Sequence, residues 1–211
     1  MSLLPATSKR TIQAYTTGSE VYLKEWDRGA YRIPPHLEVW LSHLPPHSHV
    51  LDLGCGPGQD SRYLRRLGFR VVGLDLTWPF LQVARKRSQR LPLIQADMKH
   101  LPFFHNSFNG IWAAASFIHF PKSSIKKVLR QVLALTRPRG ILAATFLHGK
   151  GSGYLPRQWI PGRYMCQWLK PDLKDAIQQA GWHIISLQTV CNRERKGRWL
   201  NVLAQRPEQI T

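Results

Sequence analysis

The sequence predicts an α/β fold: a Rossmann-like, doubly wound sheet of about seven strands, five parallel and two forming a C-terminal antiparallel hairpin. Three observations predict it. Strand and helix patterns alternate from residue 50 onward. The apolar run at 69–74 is continuous rather than alternating, as expected for a strand covered on both faces of a parallel sheet. The last two strand patterns follow each other with no helix between them, which makes them an antiparallel pair.

The first strand, 49–53, runs straight into a glycine cluster, Gly54, Gly56 and Gly58. A helix over 60–67 follows, with Tyr63, Leu64 and Leu67 on one face and Gly68 as its stop. The second strand is the run at 69–74, followed by a helix at 78–87, a third strand at 93–96 and a fourth at 110–115. Ser123 or Ser124 is positioned to cap the next helix, where Ile125, Val128, Leu129, Val132 and Leu133 recur at the helical period. Lys126, Lys127 and Arg130 fall on its exposed side. Arg137-Pro138-Arg139-Gly140 breaks that helix before a fifth strand at 141–147. Residues 148–164 carry Gly and Pro without periodicity and are expected to form a loop. Pro171 opens a last helix closed by Gly181, and strands at 182–190 and 199–205, joined by a charged turn, complete the pattern.

The chain has 211 residues, 43% of them hydrophobic, which suits one packed domain with a buried core. No apolar run reaches the ~20 residues that span a bilayer, and the N-terminus lacks a secretory pattern, so the expected location is the cytoplasm. Cys55, Cys166 and Cys191 are odd in number and match neither a metal site nor a disulfide framework. The formal charge is +18, and no Asp or Glu occurs between Asp97 and Asp172. A second basic cluster, Arg85, Lys86, Arg87 and Arg90, follows the second strand. Such a balance attracts an anionic partner such as RNA, or reflects no more than solvated helix faces.

In a doubly wound sheet the ligand lies beyond the carboxyl ends of the strands, where the strand order reverses. The run Asp52-Leu53-Gly54-Cys55-Gly56-Pro57-Gly58 sits there, and its glycines let the backbone turn tightly and come close to a ligand. The spacing is G-x-G-x-G, not the G-x-G-x-x-G of a dinucleotide site. Asp52 and Asp60 beside the turn suit an ammonium group or hydroxyls better than a phosphate. Asp75, after the second strand, is placed to accept from both hydroxyls of a ribose. Asp97, after the third, is placed to accept from an adenine amino group while the backbone of Met98 reads the ring. Each aspartate alone is more often a cap or a loop residue; three at successive strand ends are harder to explain by capping.

These motifs, with Gly73-Leu74-Asp75-Leu76-Thr77, Ala96-Asp97-Met98, Phe117-Ile118-His119-Phe120-Pro121 and the Arg137–Gly140 turn, resemble the class I S-adenosylmethionine (SAM) dependent methyltransferases from about residue 49 to 205. Asn109 stands where that family usually has Asp, and Arg139 where it usually has Gly. The resemblance implies a cap over residues 1–44 and a catalytic core over 45–211. It implies SAM as methyl donor, S-adenosylhomocysteine as product and no metal. Asp52, Gly54, Cys55, Gly56, Gly58, Asp75, Leu76, Asp97, Met98 and Ser116 are the implied cofactor residues. His119, after the fourth strand, and Tyr15, in the cap, are candidate catalytic residues. Tyr22, Trp159, Arg163 and Tyr164 are candidates for contact with the acceptor. A small-molecule acceptor is the favoured expectation. RNA methylation and a non-catalytic SAM-binding partner subunit are the alternatives, and a nucleotide-dependent oxidoreductase fits least.

Overall fold

The computed structural model describes residues 6–26, 31–154, 160–192 and 197–208. Five parallel strands form its centre: β1 (His49–Leu53), β2 (Arg70–Asp75), β3 (Leu93–Gln95), β4 (Phe108–Ala113) and β5 (Thr136–His148), ordered β3-β2-β1-β4-β5. The period of two along each strand divides the side chains between two buried clusters. Val50, Trp112, Ile141 and Ala143 point to one face, and Leu51, Ile111, Leu142 and Ala144 to the other. Helix α3 (Pro35–Leu41) and helix α4 (Gln59–Arg66) cover the first face with Leu37, Trp40 and Leu64. Helix α6 (Lys122–Leu135) and helix α7 (Lys170–Gln179) cover the second with Ile125, Leu129, Leu173 and Ile177. Helix α5 (Trp78–Arg87) packs on β2 and β3, and α1 (Ala6–Thr17) and α2 (Ser19–Trp26) lead the chain.

The described residues form nine strands rather than seven. The region expected to be a loop contains β6 (Ser152–Tyr154) and β7 (Tyr164–Trp168), an antiparallel pair. Both are too short to show alternation, and their hydrogen bonds do not register in sequence. β4 stops pairing with β5 at Ala113–Ala144, and β7 takes up the vacated edge in parallel at Leu147 and His148. The opposite edge of β5 pairs antiparallel with β9 (Gly197–Gln205), which pairs with β8 (His183–Asn192), as expected of the terminal hairpin. Its charged turn, 193–196, lies outside the described residues.

The start of α6 differs from expectation. Pro121 precedes its first turn with extended φ/ψ, and neither serine caps it; the Ser124 hydroxyl instead donates back to Pro121 O at 3.0 Å. Lys126, Lys127 and Arg130 are exposed as expected. Two of them are tied, however: Lys126 Nζ donates to Gln179 Oε1 at 3.2 Å and Arg130 Nη2 to Gln179 O at 3.1 Å, where α7 ends. After β1 the chain builds outward through β2 and β3, then returns to the other side of β1 for β4 and β5. That reversal opens a crevice beyond the carboxyl ends of β1 and β4.

Candidate cofactor and acceptor site

The glycine loop leaves β1 with φ of +83° at Gly54 and +51° at Gly56, a region costly for residues with a Cβ. A Cβ at Gly54 would come within 2.5 Å of Ser116 Cβ and 2.9 Å of Met98 Cε, so this glycine lets the ends of β1, β3 and β4 converge. A Cβ at Gly56 would meet nothing within 4 Å. The loop's amide donors are committed. Gly54 N and Cys55 N both donate to Leu74 O, Gly56 N donates to Asp75 Oδ2 at 2.9 Å, Gly58 N donates to Cys55 O, and Pro57 has no N–H.

Acceptors, by contrast, are in surplus. Asp75 also takes Thr77 N on Oδ1 at 2.7 Å, so it pins the glycine loop to the turn after β2. Asp97 takes Lys99 N on Oδ1 at 2.9 Å, while its Oδ2 is buried without a hydrogen-bond partner. Ser116 Oγ is likewise buried and unpartnered. Asp52 lies beneath the loop, 3% exposed, and accepts from Ser61 Oγ at 2.5 Å. Burial first, and then the charges of Asp60 and Asp75, push the Asp52 carboxyl well above the usual carboxylate range. Burial also raises Asp75, opposed by its backbone donors.

Asp60 does not face this ligand space through free oxygens. Tyr31 Oη donates to Oδ1 at 2.6 Å and Trp112 Nε1 to Oδ2 at 2.7 Å, so Asp60 ties the segment before α3 to β4. The Cys55 side chain is buried, and burial, with the nearby Asp52 charge, pushes its thiol up, so it is a packing group and only its backbone lines the loop. Leu76 follows Asp75 and its carbonyl accepts from Gln95 Nε2 at 3.1 Å.

The candidate catalytic residues meet in one network. His119 closes a short 3-10 turn, Phe117–His119, after β4. Its Nδ1 is 2.7 Å from Tyr164 O and its Nε2 is 2.9 Å from Tyr15 Oη. A carbonyl only accepts, so Nδ1 carries the proton, and Nε2 accepts from the Tyr15 hydroxyl. Burial first, and the Arg163 charge as well, lower His119 to about 4, so the ring is neutral at pH 7. Arg163, 5% exposed, donates from Nη1 to Tyr15 Oη at 3.1 Å and from Nε to Ile160 O at 3.1 Å. Tyr164 N donates to Thr11 Oγ1 at 2.9 Å. Tyr15 and Tyr22 also pack on Phe80, with ring centroids 5.7 and 4.6 Å away. Thus α1 is fastened over the end of β4 by Thr11 and Tyr15. Trp159 lies outside the described residues.

Thr11 and Phe80 escaped the sequence reading. Thr11 and Tyr15 stand four apart on one face of α1, a spacing that marks a shared contact. Phe80 carried no signal beyond that of a core aromatic. Among the described residues, no cluster of three or more His, Cys, Asp or Glu is placed to hold a metal, and no helix is long and apolar enough to cross a membrane.

The methyltransferase domain family matches residues 50–140. The methyltransferase GfsG of Streptomyces halstedii is 36% identical over 110 residues, 49% of this chain and 39% of that protein. A malonyl-[acyl-carrier protein] O-methyltransferase of Enterobacter lignolyticus is 32% identical over 124 residues, 58% of this chain and 49% of that protein. The chain therefore spans about two fifths to one half of the length of these curated relatives. The 1,6-didemethyltoxoflavin-N1-methyltransferase of Burkholderia thailandensis, solved with 1,6-didemethyltoxoflavin and S-adenosylhomocysteine, shares the fold. Its TM-score is 0.79 at 19% identity, covering 98% of this chain and 93% of that one. Residues 50–140 thus match a methyltransferase domain, and the chain has the fold of the SAM-dependent methyltransferases.

Proposed function

We propose that this chain transfers the methyl group of SAM to a small-molecule acceptor. The observation that carries the cofactor reading is the polarity of the crevice. Its glycine-loop amides from Gly54 to Gly58 are all committed, while Asp97 Oδ2 and Ser116 Oγ remain as buried acceptors. A pyrophosphate asks for free N–H groups at such a loop. SAM carries one carboxylate and the accepting ring nitrogens of adenine, but it also presents an ammonium, a sulfonium, ribose hydroxyls and an adenine amino group, which are positive or donating and suit acceptors in the crevice. In this reading the Gly54–Gly58 loop takes the methionine part, Asp75 the ribose, and Asp97 with the Met98 backbone the adenine.

When bound, SAM would supply an electrophilic methyl carbon, to which an in-line nucleophile bonds as the carbon–sulfur bond breaks and S-adenosylhomocysteine leaves. The chain's own task is alignment and exclusion of water. Tyr15, fixed by His119 and Arg163, closes the space beyond β4. His119 is a poor base because its imidazolium is disfavoured, so it serves to aim the Tyr15 hydroxyl. That favours an acceptor whose nucleophile arrives ready, without a proton to lose. The relatives add support, one named for a malonyl group on acyl-carrier protein and one for 1,6-didemethyltoxoflavin.

Thermal unfolding with SAM, S-adenosylhomocysteine and NAD tests the cofactor, the first two being expected to raise the midpoint. Stabilisation by NAD alone would overturn the reading. Labelled SAM incubated with cell extract, before and after removal of RNA, tests the acceptor. Label is expected in small molecules in both, and label confined to RNA would replace the small-molecule reading by RNA methylation.

A further inference from the structure

The amino-terminal ends of the parallel strands form the edge of the molecule opposite the cofactor crevice, roughly 17 Å away along a five-residue strand. Following the strand order, the residues at that edge are Arg90 before β3, Arg70 opening β2, His47 before β1, His105 before β4, and Arg137 and Arg139 at the start of β5. All six are exposed. The strand order sets them side by side along this edge, and burial first, then the charges of Arg70 and Arg137, lower His49 at the start of β1. Across four strand spacings the band runs for roughly 19 Å.

Two details set this band apart from ordinary solvated charge. Phe104 projects from the same edge, 90% exposed, in the loop between β3 and β4. Arg139 holds φ of +63°, a conformation suited to glycine, and still presents a guanidinium there. Residues 62–90 hold seven arginines, Arg70 and Arg90 among them, and one lysine against the single acid Asp75, which is turned into the crevice. Arg65 Nη1 bonds Ser88 Oγ at 3.4 Å and so brings the ends of α4 and α5 together on this side. Glu38 precedes His47 by nine residues, and Glu208 stands two residues beyond Arg206, whose carbonyl accepts from Arg139 N at 3.0 Å.

We propose that this edge binds the phosphodiester backbone of RNA. Arginine outnumbers lysine here, and its planar fork matches phosphate oxygens in a way an ammonium does not. A fully exposed ring among the cations gives an unpaired base a stacking surface. A lipid surface would require a broader apolar face than scattered exposed side chains such as Phe104 and Leu67 provide. The edge is separate from the methyl-transfer site, so the proposal stands or falls independently of the acceptor.

Fluorescence anisotropy with a labelled 20-nucleotide RNA, the matching DNA strand, a DNA duplex and phosphatidylglycerol vesicles tests it across a salt series. RNA is expected to bind with affinity that falls as salt rises, each neutralised phosphate adding about −0.7 to the log–log slope on a single strand. Arg70→Glu with Arg90→Glu is expected to weaken RNA binding roughly tenfold or more and to reduce the slope by about 1.4. The charge-matched control Lys127→Glu with Lys174→Glu, on α6 and α7, is expected to change it less than about twofold. Phe104→Ala should weaken single-stranded RNA and leave the duplex unchanged. Circular dichroism and the S-adenosylhomocysteine thermal shift check folding, and Arg70→Gln with Arg90→Gln replaces the reversal should it unfold. Absent RNA binding, equal loss in the control pair, a preference for DNA, or binding to vesicles alone would each overturn the proposal.

Discussion

Asp97→Asn separates a cofactor contact from a structural role. In the folded protein Asp97 Oδ1 accepts from Lys99 N at 2.9 Å and holds the turn after β3, whereas Oδ2 is buried without a partner. Asparagine keeps the first bond through its amide oxygen and replaces Oδ2 by an NH2 group. The free protein should therefore lose little stability, since a buried carboxylate oxygen lacking a partner is itself costly. Bound SAM should lose far more, because the adenine amino group then meets a donor. A hydrogen bond to a charged group contributes about 1.5–3 kcal/mol, and at 1.36 kcal/mol per decade the dissociation constant should rise roughly 10- to 150-fold. Calorimetric titration with S-adenosylhomocysteine, paired with the unfolding midpoint of the free protein, measures both quantities. Unchanged affinity in a folded variant refutes the adenine contact. A large fall in midpoint with a matching fall in affinity shows that Asp97 acts through the turn.

Three further outcomes are expected. SAM binding near neutral pH should release protons, because a cation beside Asp52 and Asp75 restores carboxyls that burial has raised; binding enthalpies that do not vary with the ionisation heat of the buffer would contradict this. His36, buried against Val202 O at 3.0 Å, is lowered to about 4, so the folded state binds fewer protons than the unfolded state between about pH 4 and 6.5. Its contribution is full above pH 6.5 and is lost as pH falls to about 4, while Asp52 and Asp75 slope the other way. The gap between wild type and His36→Gln should thus shrink on acidification, by on the order of 3 kcal/mol, and a gap independent of pH would refute it. Arg206 Nη1 shares its two N–H groups among the carbonyls of Leu133, Ala134 and Thr136 and Asn106 Oδ1, closing the end of α6. Arg206→Ala should lower stability by about 2–3 kcal/mol in urea titration; a loss under about 0.5 kcal/mol would show that water replaces it.

The crevice was legible because each of its markers is local in sequence. A strand, a glycine turn and an aspartate at a strand end need no tertiary knowledge, and Gly54, Asp75 and Asp97 converge as the alternation of elements requires. What was illegible depends on pairing between distant segments. β6 and β7 hold together through Ser152–Cys166 and Tyr154–Tyr164, and nothing in either three- or five-residue piece declares its partner. Asp60 illustrates the same limit: one turn from the glycine loop in sequence, its two oxygens are claimed by Tyr31 and Trp112, 29 and 52 residues away. The pairing of Arg163 with Tyr15 spans 148 residues, and only the docking of α1 reveals it.

The distribution of charge follows from the ligand as much as from the chain. A chain with a net charge of +18 and 12 acidic residues has few carboxylates to place, and four of them, Asp52, Asp60, Asp75 and Asp97, come from the ends of β1, β2 and β3 and the first turn of α4. Gathering them beneath one crevice costs burial and mutual repulsion, visible in the raised Asp52 carboxyl. A cation in the crevice relieves both costs at once, so a cofactor that carries a sulfonium and an ammonium is held most tightly where the empty protein is most strained. Among the described residues, the same concentration leaves the opposite end of the sheet poor in acid, and Arg70, Arg90, Arg137 and Arg139 form no ion pair there. With the acids collected at one end, the field at the other becomes strong enough to draw in a polyanion over distances comparable to the Debye length of about 8 Å at physiological salt.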